Sequence, residues 1–350
     1  MAASLTQTAI IARKVIRFGI YFMAFLIIGK IVFDMAIKIY KLAFPPPPPP
    51  PTVAFGKLPR LPFPENTGMP TFTWTIETPD GKIPSFKDLA NQSKVYFMPR
   101  SSQTQLNLEE AKDTVSGLGF NPEGQAVSET LYRFPHRSSP SSIEINIVTR
   151  IFSLNYDIAA DPTILEKRPP VPEIAVSQVR NYLTRANILS EDLSGPTKHE
   201  FLRIEGGKFI SALALSDANL IKINLFRKEF DKLPAMTLSP DEANIWFIVS
   251  GIQDKQMVAG EYHYFKVDET KFATYPIKTG QEAFDELKEN KGYIAKLGQN
   301  ENGNIIIRRI YLAYFDPPVP FDFYEPIIVF EGDNGFAAYV PAISSDYYGE

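Results

Sequence analysis

Apolar residues are concentrated near the start of the chain. From Phe18 to Gly29 no charged side chain interrupts the run. The nineteen residues Val15 to Phe33, at the α-helical rise, cover about 28 Å, close to the thickness of a bilayer's hydrocarbon core. Lys30 closes the uninterrupted part, and Asp34 follows one turn later on the same face. The two either neutralise each other at the interface or leave Lys30 to snorkel outward, and an ionisable pair at this depth marks a lateral contact with another membrane helix. The pattern therefore predicts one membrane span.

A cleaved signal peptide has a similar start, a basic cluster followed by a short apolar core. No small-x-small site follows, however: Asp34 stands two residues before Ala36, and Lys41 two before Ala43. The segment reads as a retained anchor. Arg13, Lys14 and Arg17 precede the core and Lys38 and Lys41 follow it, so the short N-terminal tail is expected in the cytoplasm and the bulk outside it. Pro45 to Pro51 are seven consecutive prolines, which lack amide donors and favour polyproline II, about 22 Å of stiff spacer. With Pro59, Pro62, Pro64 and Pro70 beyond them, residues 45–70 are expected to form a stalk.

After the stalk, short strand-like runs alternate with a few helices. Thr71 to Thr78 alternates apolar and polar positions, and Val95 to Met98 and Leu131 to Phe134 read as strands. Ile143 to Tyr156 reads as one long, bent strand. Leu106 to Leu118 and Ile174 to Leu189 carry helical spacing, the latter with Val176, Val179, Leu183 and Ala186 on one face. Gly206-Gly207 predicts a tight hairpin between Phe201–Glu205 and the run from Lys208, and Ile221–Arg227, Ile245–Ser250 and Gln256–Val267 predict further strands. Thr279 to Asn290 is a predicted helix with Thr279 as N-cap and Glu282 completing a capping box. Strands over Tyr293–Leu297, Asn304–Phe315, Ile327–Glu331 and Gly335–Val340 follow, the last two joined at Asn334-Gly335. A helix followed by antiparallel strands thus occurs three times. The expected fold class is α+β: a transmembrane helix, a proline stalk, then repeated helix-plus-antiparallel-sheet units over 71–165, 166–272 and 273–350.

The third unit resembles a PepSY-type module and is similar to the extracytoplasmic YycH and YycI regulators. The features that carry the resemblance are Glu282, Ala283 and Leu287 in the helix, Tyr311 and Tyr314 in the next long strand, Pro326 and Phe330 after it, and Phe336, Tyr339 and Val340 in the closing hairpin. The resemblance implies an envelope protein with one N-terminal membrane helix that binds or restrains a membrane partner. The long proline run and the divergent first unit depart from that family, so no specific partner carries over.

Composition narrows the chemistry. Cysteine is absent, which removes thiol nucleophiles, disulfides and thiolate metal sites and tilts the reading toward a bacterial envelope protein. A net charge of -4 leaves no basic surplus for a phosphate backbone, so nucleic acid is not an expected partner. The three histidines, His136, His199 and His263, are far apart in sequence, and there is no HExxH pair, nucleophile elbow, P-loop or dinucleotide fingerprint. No metal, cofactor or catalytic residue is expected. Glu331-Gly332-Asp333-Asn334-Gly335 lacks the ligand spacing of an EF-hand and reads as a turn. One place stands out: Glu325 beside Phe321, Phe323 and Tyr324, in a proline-bounded segment. It is either a loop whose aromatics pack inward or an exposed platform for a peptide, glycan or protein.

Three functions compete: a noncatalytic binding or regulatory module at the cell surface, with the bilayer and an envelope protein as partners; an envelope hydrolase acting on glycan or peptide; and a structural part of a surface or secretion assembly. The first is the leading expectation.

Overall fold

A computed structural model describes residues 5–43, 49–79, 81, 83, 91–100 and 106–349. The chain divides into two units, one ending at Pro50 and the other beginning at Pro51. The first is a single helix, α1 (Leu5–Ala43). Its stretch from Ala9 to Lys41 is 33 residues long and apolar enough to cross a membrane. At 1.5 Å per residue that is about 50 Å, more than a hydrocarbon core needs, so the helix continues beyond Val15–Phe33 on both sides. Its large apolar side chains are exposed all round, Phe18, Phe22, Phe25, Ile28 and Phe33 among them. A soluble helix would bury one face. Pro45 to Pro48 lie outside the described residues.

Among the described residues, the second unit contains three sheets. The largest has nine strands: β3 (Gln125–Ala126), β4 (Leu131–Pro135), β5 (Ser141–Asn146), β6 (Phe152–Tyr156), β7 (Thr197–Glu205), β8 (Lys208–Ser211), β9 (Leu220–Leu225), β11 (Ile245–Ser250) and β12 (Met257–Tyr262), in the order β3-β4-β5-β6-β12-β11-β9-β7-β8. Helices α2 (Leu106–Gly117) and α3 (Pro172–Arg185) cover one face. Ala111, Val115, Ala175, Val179 and Leu183 pack there against Ile143, Phe152, Ile223 and Phe247. α3 starts with Pro172, whose missing amide costs nothing in the first turn, and gives way at Asn187, which adopts φ 56°.

A six-stranded sheet follows the order β1-β15-β17-β18-β14, with β10 also paired to β15. Its strands are β1 (Thr73–Ile76), β10 (Ala235–Met236), β14 (Tyr293–Lys296), β15 (Asn304–Phe315), β17 (Pro326–Gly332) and β18 (Ala337–Pro341). Helix α4 (Gly280–Lys288) covers one face through Ala283, Phe284 and Leu287. A small third sheet, β13-β2-β16, comprises β2 (Gln92–Phe97), β13 (Asp268–Pro276) and β16 (Phe323–Tyr324).

This topology revises the expected division into three repeated units. Most of the strands expected in the first two units share one sheet, joined where β6 pairs with β12. Two strands of the expected first unit leave it altogether: β1 runs parallel to β15, and β2 pairs with β13 and β16. Ile143–Tyr156 is two strands rather than one. The Asn146 side chain accepts from the amides of Val148 and Thr149, and Arg150 adopts φ 64°, which turns the chain without glycine or proline. The predicted glycine turns hold: Gly206 and Gly207 both have positive φ between Glu205 and Lys208, and Asn334 and Gly335 between β17 and β18.

Residues 52–66, expected within the stalk, lie on this second unit as a strap. The amides of Thr52 and Val53 donate to Thr274, and that of Leu58 to Tyr347 O. Tyr275 Oη accepts from Phe55 N at 3.0 Å and donates to Gly56 O at 2.9 Å, and Tyr348 Oη accepts from Leu61 N at 2.9 Å. Leu58 and Leu61 are buried, and Phe63 stacks on Tyr293 at 5.0 Å. Prolines at 59, 62 and 64 keep the strap extended, but its apolar residues and free amides find partners on the sheet edge, so it is not a bare spacer.

Candidate functional site

The aromatic segment around Glu325 is packed inward. Phe321 is buried with Leu61, Phe315 and Ile327. Phe323, half-buried, lies 5.1 Å from the Phe55 ring. Tyr324 is fully buried, stacked on Tyr314 at 5.0 Å. Glu325 is 0% exposed, and neither of its carboxylate oxygens has a hydrogen-bond partner among the described residues. Burial alone pushes its pKa well above the ordinary glutamate value. An exposed platform of these four residues is therefore corrected to a buried cluster. The prolines flank β16, whose short pairing with β2 carries Phe323 and Tyr324 into the core. In α1, Lys30 and Asp34 stand one turn apart on an exposed face, and no hydrogen bond or ion pair joins them to each other or to other described residues.

The histidines occupy separate settings. His136 Nδ1 lies 2.8 Å from Ser139 Oγ, His199 lies on β7 beside Phe201, and His263 bridges Glu261 and Pro318 O. Among the described residues no group of three His, Asp or Glu is placed to hold a metal ion. Asp333, in the turn weighed as a calcium loop, is held by two guanidinium nitrogens of Arg308 at 2.8 and 2.6 Å.

What the segment does build is one wall of a cleft of about 750 Å³. Phe321 and Pro320 form that wall. The β5–β6 turn supplies Val148 and Arg150, the stretch after α3 supplies Ile188 and Leu189, and the chain leaving β12 supplies Tyr262, Tyr264 and Lys266. Arg100, just beyond β2, completes the rim. Ile145, Phe152, Tyr262 and Phe321 are almost fully buried beneath it, and the half-buried Val148, Ile188, Leu189 and Tyr264 present its apolar surface. A second hollow, between residues 60–74 of the chain and the end of α4, is larger at about 1160 Å³ but mixes Arg60, Lys288 and Lys291 with Glu65 and Glu286.

Behind the cleft lies a buried ionic cluster. Arg227, in the chain leaving β9, donates through Nε to Asp316 Oδ1 at 2.8 Å, through Nη1 to Asp192, and through Nη2 to Phe265 O at 2.6 Å. Tyr264 covers the guanidinium at 4.5 Å. Its hydroxyl is 3.0 Å from Asp192 Oδ1 and 2.7 Å from Ser190 Oγ; a carboxylate can only accept, so Tyr264 donates to Asp192 and accepts from Ser190. Burial by itself would lower the Arg227 pKa, but Asp316 and Asp192 outweigh it and hold the guanidinium charged. Burial also pushes Asp316 up, against the pull of Arg227. The cluster ties the turn after α3, the end of β9 and the end of β15 together, and so fixes the walls of the cleft relative to one another.

Sequence reasoning singled out Phe321 but missed Arg100, Arg150, Lys266, Tyr264 and Arg227. These come from parts of the chain with no local motif, and only the tertiary pairing brings them together. No family model matches the chain, and no curated protein does. Among solved structures, one it is similar to is an uncharacterized protein from Eubacterium rectale ATCC 33656, at 12% identity and a TM-score of 0.40, over 75% of this chain and 86% of that one.

Proposed function

We propose that this chain is a single-pass, membrane-anchored, noncatalytic binding or regulatory protein of a bacterial envelope, with its folded part outside the cytoplasm. One observation carries the reading: α1 is long and apolar enough to span a bilayer and has apolar side chains on every side. Such a surface is costly in water and satisfied in lipid. Lys30 and Asp34, with no partner among the described residues, suit a lateral contact with another membrane helix. The cleft beside Phe321 is the binding surface of the folded part, since it offers apolar walls and a few polar groups without a constellation of nucleophile, base and orienting group. The resemblance of the last unit to PepSY-type modules supports a regulatory rather than a chemical role.

Fractionation tests the anchor. The full chain should stay in the membrane pellet through an alkaline carbonate wash and leave it with detergent, and protease added to spheroplasts should digest the folded part. A Phe22→Arg, Leu26→Arg variant should shift to the soluble fraction. Recovery of the unaltered chain as a soluble protein, or full protection from external protease, would overturn the proposal.

A further inference from the structure

Glu325 lies beneath the strap. β16 pairs with β2 in the register Phe323 to Phe97 and Tyr324 to Tyr96, so the next residue, Glu325, falls opposite Val95. Side chains alternate along a strand. Tyr324 turns toward Tyr314 and Phe230, and Glu325 therefore points the other way, as Phe323 does toward Phe55 of the strap. On that face Leu58 of the strap, 1% exposed, is buried among Val95, Ala273, Tyr275 and Ile343. The carboxyl, itself 0% exposed and without a hydrogen bond to either oxygen among the described residues, is shut in below Leu58.

The titratable groups that face it are the two hydroxyls that hold the strap. Tyr275, from β13, and Tyr348, beyond β18, both lie close enough to feel its charge. Burial raises the pKa of each, so both stay neutral around pH 7. From β2 only Val95 faces the carboxyl, since Lys94 and Tyr96 turn to Asp231 on the opposite side. On the strap, Lys57 and Arg60 flank Leu58. Past Tyr348, Lys278 is taken by Glu286. The strap is a thin cover. Leu58 meets Tyr348 in a single isolated bridge, and the other contacts are tyrosine hydroxyls and scattered amides. Lifting it breaks local contacts only, whereas ionising a carboxyl shut in an apolar space is far more costly.

We propose that the strap is a proton-operated lid, seated while Glu325 carries its proton and lifted when Glu325 ionises, which bares the edge of β13 at Thr274 and the hollow that Leu58 fills. The proton passes from Glu325 to water as the lid lifts and returns as it closes. The inference does not depend on the membrane reading. Its sign follows from linkage. Under the open lid the carboxyl regains an ordinary value of about 4.3, while under the closed lid it holds its proton to higher pH. Opening therefore becomes about tenfold more favourable with each pH unit between those two values, and closing is favoured as pH falls.

The test is hydrogen exchange, read by mass spectrometry, on the full chain in phosphatidylcholine nanodiscs between about pH 5 and 8. Protection of the amides in residues 52–66 is taken relative to a free peptide of the same sequence, which removes the intrinsic pH dependence of exchange. In the unaltered protein it should fall about tenfold per pH unit until the raised value is reached. In Glu325→Gln it should not vary with pH, and at pH 7 it should exceed that of the unaltered protein by about tenfold or more. Tyr348→Phe, which removes the acceptor for the Leu61 amide, should lower strap protection about fivefold at every pH and leave the slope intact, the effect of one hydrogen bond of about 1 kcal/mol. Strap protection that stays flat in the unaltered protein would overturn the inference, whether or not the glutamine variant folds. So would a slope that survives in Glu325→Gln or vanishes in Tyr348→Phe. Strap amides as well protected as those of β15 at every pH would also overturn it, because the strap would then open only with the whole fold.

Discussion

Glu325 is the residue whose surroundings fit it least. A carboxyl buried without a partner is tolerated only in its neutral form, and burial raises its pKa well above the usual glutamate value. The sign of the pH effect follows. In the unfolded chain the group ionises above about pH 4.3, while in the folded chain it stays protonated to higher pH. Its contribution to stability is present in full below about pH 4.3 and is lost as pH rises toward the raised folded value. Glu325→Gln should match the unaltered protein at pH 4 and exceed it by about 1 kcal/mol or more at pH 8, read by calorimetry of the detergent-solubilised full chain. Parallel stability profiles for the two proteins would show that the carboxyl titrates freely. His263 gives a second, higher window. The Glu261 carboxylate, first among its influences, raises its pKa, and its two ring nitrogens face two acceptors, Glu261 and Pro318 O. Both are satisfied only by the imidazolium. This contribution is complete below about pH 6.5 and fades as pH climbs through the folded value; at a partly exposed pair it is under about 1 kcal/mol. His263→Gln should remove the loss of stability on the alkaline side of pH 6.5 that Glu325→Gln leaves in place.

Among the elements, α4 shows how a short helix is specified. Thr279 accepts from the Glu282 amide at 3.2 Å while the Glu282 carboxylate accepts from the Thr279 amide at 2.7 Å. Ala283, Phe284 and Leu287 then bury one face against the six-stranded sheet. With only nine residues, α4 depends on that cap and that face rather than on propensity. Thr279→Ala should cost about 1 kcal/mol, seen as a lower denaturant midpoint with unchanged slope. This element was legible from sequence because the signals for its start and its buried face are both local. So were α3 and the two glycine hairpins. The β5–β6 turn was not, because its cue is an Asn146 side chain bonding to the next amides rather than glycine or proline. β1 looked like a strand and is one, but alternation does not name a partner, and its pairing of Thr73 with Asn304 spans most of the folded unit.

Across the folded unit, the same limit governs the site. Phe321 stood out as part of an aromatic cluster, yet a row of aromatics reads alike whether it faces water or core, and here it faces core and cleft. Lys266, Arg150 and Arg100 converge only because three sheets meet. Arg227 is the clearest case of a residue that acts between layers: its side chain is 1% exposed, and its partners Asp192 and Asp316 belong to the nine-stranded and six-stranded parts respectively. Arg227→Met would leave two buried carboxylates without their cation and should destabilise the fold by about 3–5 kcal/mol. Adding Asp192→Asn and Asp316→Asn to that variant should restore most of the loss. A triple variant as unstable as the single would show that the arginine acts through packing alone.

The strap has a mechanical consequence. Its attachments come in sequence along the chain: Thr52 and Val53 to Thr274, residues 55 and 56 to Tyr275, Leu58 to Tyr347, Leu61 to Tyr348, and Asn66 to Gly292 and Ile294. Tension applied to the polypeptide ahead of Thr52 would load these fastenings one after another, like the teeth of a zip, rather than together. The strap would peel at low force before any strand of the sheets beneath it gave way, so a tug from the N-terminal side would be absorbed by some fifteen residues of slack.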